Sequence, residues 1–104
     1  MDNKTESFAS FSEFYPYYLS EHANQTCRRL HFVGSSLVIL TLAWIILNSA
    51  WSALILLPLI GYGFAWVGHF FFEKNKPATF KYPLYSFIGD WVMFKDILIK
   101  RIPW

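Results

Sequence analysis

Three histidines, His22, His31 and His69, are the only imidazoles in the chain. A neutral imidazole offers one ring nitrogen to a metal ion while its other N–H rests on an acceptor. Three of them gathered at one point suit zinc, iron or copper, with positions left open for a substrate or for dioxygen. Kept apart, they are hydrogen-bonding residues at a membrane boundary. Spacing decides between the two. A turn is expected near Ser49, with His31 18 residues before it and His69 20 after it. On two antiparallel helices rising ~1.5 Å per residue, the two rings then lie at nearly one depth. On the first helix Asn24, Arg28, His31 and Ser35 recur at steps of four, three and four, a single stripe; on the second, Gly61, Ala65, His69 and Glu73 recur every four residues.

His22 lies nine residues before His31, half a turn out of phase on an unbroken helix. Asn24 is a good N-cap and Pro16 allows a short preceding helix, so a bend that folds His22 back toward His31 is expected. Glu73, one turn after His69, is a candidate fourth ligand or the acceptor that fixes an imidazole tautomer, and Asp90 is a second, weaker candidate for that work. Arg28 and Arg29, with Asn24 on the same stripe, are the candidate substrate-binding residues, because guanidinium matches the planar geometry of a carboxylate head group. Two arginines ahead of an apolar run are also an ordinary topology signal.

The elements that must position these groups follow from where charge is missing. From Leu30 to Phe72, 43 consecutive residues, there is no Asp, Glu, Lys or Arg. At ~1.5 Å per residue that stretch makes about two crossings of a ~30 Å hydrocarbon layer. The expected fold is therefore all-α: an integral membrane hairpin of two transmembrane helices, residues 26–48 and 51–73, turning at Asn48-Ser-Ala50. Pro58 should bend the second helix without ending it. Amphipathic interface helices over 8–23 and 83–99 complete a single membrane domain, 1–104. Phe8, Phe11, Phe14, Tyr15, Tyr17 and Tyr18 read as an aromatic belt anchored in lipid. Arg28 and Arg29 before the first span, and Lys74, Lys76 and Lys81 after the second, put both termini on the cytoplasmic side, in a bacterial inner membrane by the compactness of the chain. The first 20 residues have no basic segment followed by an apolar run, so no cleaved signal peptide is expected.

Composition excludes other classes. Of 104 residues 55% are apolar, 21% aromatic and only 15% charged, against roughly 25% charged in soluble proteins. A formal net charge of +2 is too small for a nucleic-acid binder. Cys27, the single cysteine, has no internal disulfide partner and no thiolate metal motif, and reads as structural. Two spans bury little surface by themselves, which makes a homo-oligomer an expectation.

Three segments, in order and separated by apolar runs, carry a resemblance: Tyr18-Leu-Ser-Glu-His22-Ala-Asn24, Arg28-Arg-Leu-His31-Phe-Val-Gly34, and Gly68-His69-Phe-Phe-Phe-Glu73-Lys-Asn75-Lys-Pro77-Ala78. They resemble the 2-hydroxy fatty acid dioxygenase family, a small membrane family formerly catalogued as a domain of unknown function. The similarity runs from about Phe11 to Ile97 and includes Gly89-Asp90-Trp91. It implies an enzyme of fatty acid α-oxidation dependent on iron(II), Fe2+, in which a 2-hydroxy fatty acid and dioxygen yield the acid one carbon shorter, in contact with membrane lipid. The histidines thought to hold the family's iron map onto His22, His31 and His69. Glu73 would complete a two-histidine, one-carboxylate set. Two other classes fit the residues: an electron carrier with a b-type haem clamped between His31 and His69, and a membrane anchor or assembly protein without catalysis.

Overall fold

The computed structural model describes residues 8–76 and 81–104; Pro77 and Ala78 of the third segment lie outside the described residues. Every regular element among the described residues is helical. Helix α1 runs Phe11–Ser20 and α2 Gln25–Asn48; a 3-10 turn, Trp51–Ile55, leads into α3, Leu56–Val67, which continues as a π-helical segment, Gly68–Glu73; α4 is Pro83–Leu98.

Local chemistry sets these boundaries. Ser10 caps α1 by accepting from the Glu13 N–H at 3.3 Å, and Asn24 caps α2 by accepting from the Cys27 N–H at 3.0 Å. Between the two helices the chain turns at Glu21 to Asn24, so the bend ahead of His31 is present. Helix α2 stops at Ser49 in the left-handed region, φ 51°. Pro58 falls in the first turn of α3, where 3-10 winding gives way to α, and a proline near a helix start loses little because its missing N–H has no partner there.

Helices α2 and α3 run antiparallel and touch through glycines. A Cβ on Gly34 would meet the Phe64 Cβ at 2.8 Å, and one on Gly68 would meet Cys27 at Sγ (3.0 Å) and Cα (3.2 Å); Gly61 faces Val38. Small residues let two backbones approach this closely. The segments Gln25–Asn48 and Trp51–Glu73 are each long and apolar enough to cross a membrane, and only 17% of each apolar stretch is buried within the protein.

The packed core lies elsewhere, where α1 crosses α4. Phe14, Tyr18, Met93 and Ile97 are buried there, edged by Phe8, Phe11, Tyr15, Tyr82 and Tyr85. This corrects the lipid-anchor reading for Phe14 and Tyr18. Spaced four apart, they share one face of α1, and that face is closed by α4.

Candidate metal centre

Each histidine reaches the centre on a different kind of backbone. His22 sits in the turn after α1, His31 in the second turn of α2, and His69 in the π-helical segment. All three side chains are buried. Their ring nitrogens lie within 4.8 Å of one another. The His69 Nε2 is 2.9 Å from the His22 Nε2 and 3.3 Å from the His31 Nε2. The rings stand nearly perpendicular in pairs, at 78° to 87°, and so converge edge-on.

The opposite nitrogens determine the proton positions. The His22 Nδ1 lies 2.6 Å from the Tyr18 carbonyl, which can only accept, so Nδ1 carries the hydrogen. The His69 Nδ1 lies 2.7 Å from the Asn75 Oδ1. The Asn75 amide is oriented by its own NH2, which donates to the Glu21 carbonyl and Oε1 at 3.2 and 3.1 Å, leaving its oxygen for His69. The His31 Nδ1 faces the Asp90 Oδ1 at 3.7 Å, too long for a hydrogen bond but close enough for a carboxylate to favour a proton on that nitrogen. With hydrogens on the outer nitrogens, two Nε2 lone pairs meet at 2.9 Å with no proton between them. Two neutral acceptors at that distance repel; a shared cation removes the repulsion.

The spacing fits one. With metal–nitrogen bonds of ~2.0–2.1 Å, neighbouring ligand atoms stand roughly 3.0 Å apart at right angles and about 3.4 Å apart at tetrahedral angles. The two separations, 2.9 and 3.3 Å, each lie within about 0.1 Å of one of these values. A haem sandwiched between His31 and His69 does not fit. Axial imidazoles stand on opposite faces of a flat macrocycle, whereas these nitrogens converge at 3.3 Å with His22 beside them.

Electrostatics keep the His22 ring neutral. Burial first, and then the neighbouring His69, push the His22 imidazole down to about 3, so it stays neutral. Burial pushes Asp90 up to about 6, opposed by a hydrogen bond from the Tyr18 hydroxyl to its Oδ1. Burial, followed by the Asp90 carboxylate, holds the Tyr18 phenol well above its ordinary value and therefore protonated. Tyr18 thus supports two of the three histidines. Its carbonyl accepts from His22, its ring stacks on the His22 ring at 4.1 Å, and its hydroxyl fixes the carboxylate that faces His31.

The other expected site residues lie around the centre. The Glu73 Oε1 accepts from the Asn24 backbone N–H at 2.7 Å, tying the end of the hairpin to the start of α2. Asn24 itself is the α2 cap. Arg28 donates to the carbonyls of His22 (3.3 Å), Ala23 (2.8 Å) and Pro103 (3.3 Å), and so holds the turn that carries His22. Arg29 lies over the Trp104 ring at 5.1 Å and donates to the Trp104 carbonyl at 3.4 Å. Asp90 alone among these lines, with His31, a cavity of about 350 Å³. This apolar groove descends between α2 and α3, with α4 at its mouth.

The support that Tyr18 and Asn75 give the histidines, and the groove itself, are not legible as such in the sequence, where Tyr18 reads as part of the aromatic belt. For Asn75 the reason is geometric. Six residues on an α-helix bring a side chain to the far face, but here π winding and the left-handed Lys74 (φ 61°) fold Asn75 back under His69, whose carbonyl also accepts the Asn75 N–H at 3.0 Å. An Asn two residues beyond a helical run is the one available hint, since Asn often supports a helix end.

Comparison with known proteins gives a family match. Residues 8–102 match the family described as 2-hydroxy-palmitic acid dioxygenase Mpo1-like. No curated protein and no solved structure shows significant similarity. The matched span takes in all three converging histidines, Tyr18, Asn75 and Asp90, and the chain belongs to the Mpo1-like family.

Proposed function

We propose that this chain is an integral membrane dioxygenase that holds Fe2+ on His22, His31 and His69 and shortens 2-hydroxy fatty acids by one carbon. The observation that carries the reading is the meeting of three buried Nε2 atoms whose outer nitrogens each face an oxygen. The family description supplies the substrate class and the oxidant.

The reaction balances without an organic cofactor. The 2-hydroxy acid and one dioxygen give the acid one carbon shorter, carbon dioxide and water: the C1–C2 bond breaks, the substrate loses four electrons and dioxygen gains them. When bound, the iron would supply the shared site for hydroxy-carboxylate and dioxygen and the path for those electrons. The chain's own residues do the rest. Tyr18, Asn75 and Asp90 orient the three imidazoles from behind, as supporting groups do in metal sites generally. Asp90, at the polar end of the groove, is set to take the proton released by the 2-hydroxyl, and the Tyr18 hydroxyl holds its carboxylate in place. Glu73 and Arg28 act one step further out by fixing the loop and helix start that carry His22 and His31. The apolar groove keeps bulk water from the reacting carbons.

The membrane assignment rests on two apolar helical segments whose side chains face outward, Leu40, Leu47, Ile55 and Leu59 among them. Arg28, Arg29, Lys74 and Lys76 flank the same open end of the hairpin, which supports a cytoplasmic location for both termini. The test is anaerobic purification with metal analysis, followed by assay of iron-loaded protein on 2-hydroxypalmitate. Stoichiometric iron and release of pentadecanoate are expected; protein that keeps no iron and turns nothing over sinks the reading.

A further inference from the structure

The groove has a direction and an end. On α2 it is lined by His31, Ser35, Val38 and Leu42, at steps of four, three and four along one face. Across from them Gly61 meets Val38, a Cβ there lying 3.6 Å from the Val38 Cγ2. Four residues further along each antiparallel helix come Leu42 and Leu57, both in the groove wall and level with one another. The groove therefore starts at the His31 imidazole beside Asp90 and Ser35 and reaches a pair of leucines at its far end. From His31 to Leu42 the helix rises ~16.5 Å. An extended chain covers ~3.6 Å in three backbone bonds, about 1.2 Å per bond, so that depth holds about fourteen bonds.

We propose that this groove takes the substrate's acyl chain, with C1 and C2 at the His31 end, and that Leu42 and Leu57 set the longest chain accepted. The absent side chain of Gly61 keeps the passage open midway. The identity of the ligand rests on the dioxygenase reading above; the length limit rests on the groove. Only one kind of selection is physically available. Lipid tails are as apolar as these walls, so a chain gains little by leaving the bilayer for the groove. A chain that overshoots, by contrast, must push aside the partly exposed Leu42 and Leu57 side chains at the far end, and displacing them is costly. The groove thus sets an upper limit on length.

The test uses the full chain, iron-loaded in lipid nanodiscs, on a ladder of 2-hydroxy acids from decanoate to docosanoate, in wild type, Leu42→Ala, Leu57→Ala and Gly61→Leu. In wild type, turnover should fall about tenfold once the chain clearly outgrows hexadecanoate. Either alanine should restore the longer acids. Gly61→Leu should lose about tenfold on 2-hydroxypalmitate and little on 2-hydroxydecanoate. A second measurement needs neither iron nor turnover. With Trp44, Trp51, Trp66 and Trp104 replaced by Phe, the fluorescence of Trp91, at the groove mouth, should be quenched by palmitate brominated near its carboxyl and much less by palmitate brominated at its tail. Identical length profiles in all four proteins, or equal quenching by the two bromo acids, overturn the proposal. Head-selective quenching with no turnover of any acid upholds the groove as an acyl site and overturns the dioxygenase reading.

Discussion

The α1–α4 layer and the α2–α3 hairpin are both rich in large apolar side chains, yet they dispose of them in opposite ways. In the layer Phe14 and Tyr18 are 0% and 1% exposed; along the hairpin Leu47 is 83% exposed and Leu40 65%. One region builds a core in the manner of a soluble protein. The other joins its helices through glycines and leaves its leucines facing outward, as membrane helices do. The histidine cluster, the candidate metal centre, lies at the boundary between the two. His22 is delivered by the packed layer, and His31 and His69 by the open end of the hairpin. A three-histidine site therefore requires both regions to be docked.

The largest effect should come from the two histidines that the hairpin carries. His31→Ala or His69→Ala is expected to abolish iron retention and turnover, with Lys81→Ala keeping both; metal analysis of the purified variants decides this. Next come truncations that set the two regions against each other. Phe14→Ala should cost ~3–5 kcal/mol of stability, because it empties a packed core. Leu47→Ala should stay within about 0.5 kcal/mol. Comparable losses in detergent melting curves for the two would erase the contrast. Asn75→Ala removes the acceptor behind His69 and should weaken metal binding by about 10- to 100-fold with the helical content unchanged, as read by metal titration and circular dichroism. The smallest pair compares two glycines. Gly68→Ala presses on the Cys27 backbone and should destabilise the hairpin by ~1–3 kcal/mol. Gly63→Ala meets nothing within 4 Å and should be neutral or gain ~0.5–1 kcal/mol from better helix propensity.

Much of the frame could be read in advance from local features. The charge-free run from Leu30 to Phe72 marks two apolar helices, and counting out from Ser49 brings His31 and His69 to one level. The capping preference of Asn24 marks the break that frees His22 to turn back. The aromatic run from Phe8 to Tyr18 was harder to assign, because a lipid-anchoring face and a face packed on another helix share the same periodicity. Only the presence of α4 distinguishes them. Glu73 and Arg28 were equally ambiguous: a carboxylate or a guanidinium near a metal centre can face the ion, a substrate or a backbone end, and here both face backbone.

By itself, then, the order of residues determined the helical segments, their polar stripes and the depth at which the imidazoles sit, because each depends on interactions a few positions apart along the chain. Which nitrogen faces the centre, which oxygen stands behind it, and where an acyl-sized groove opens were decided by tertiary structure alone. Those properties depend on side-chain directions across helices up to 72 positions apart, as between Tyr18 and Asp90, and no local periodicity encodes them.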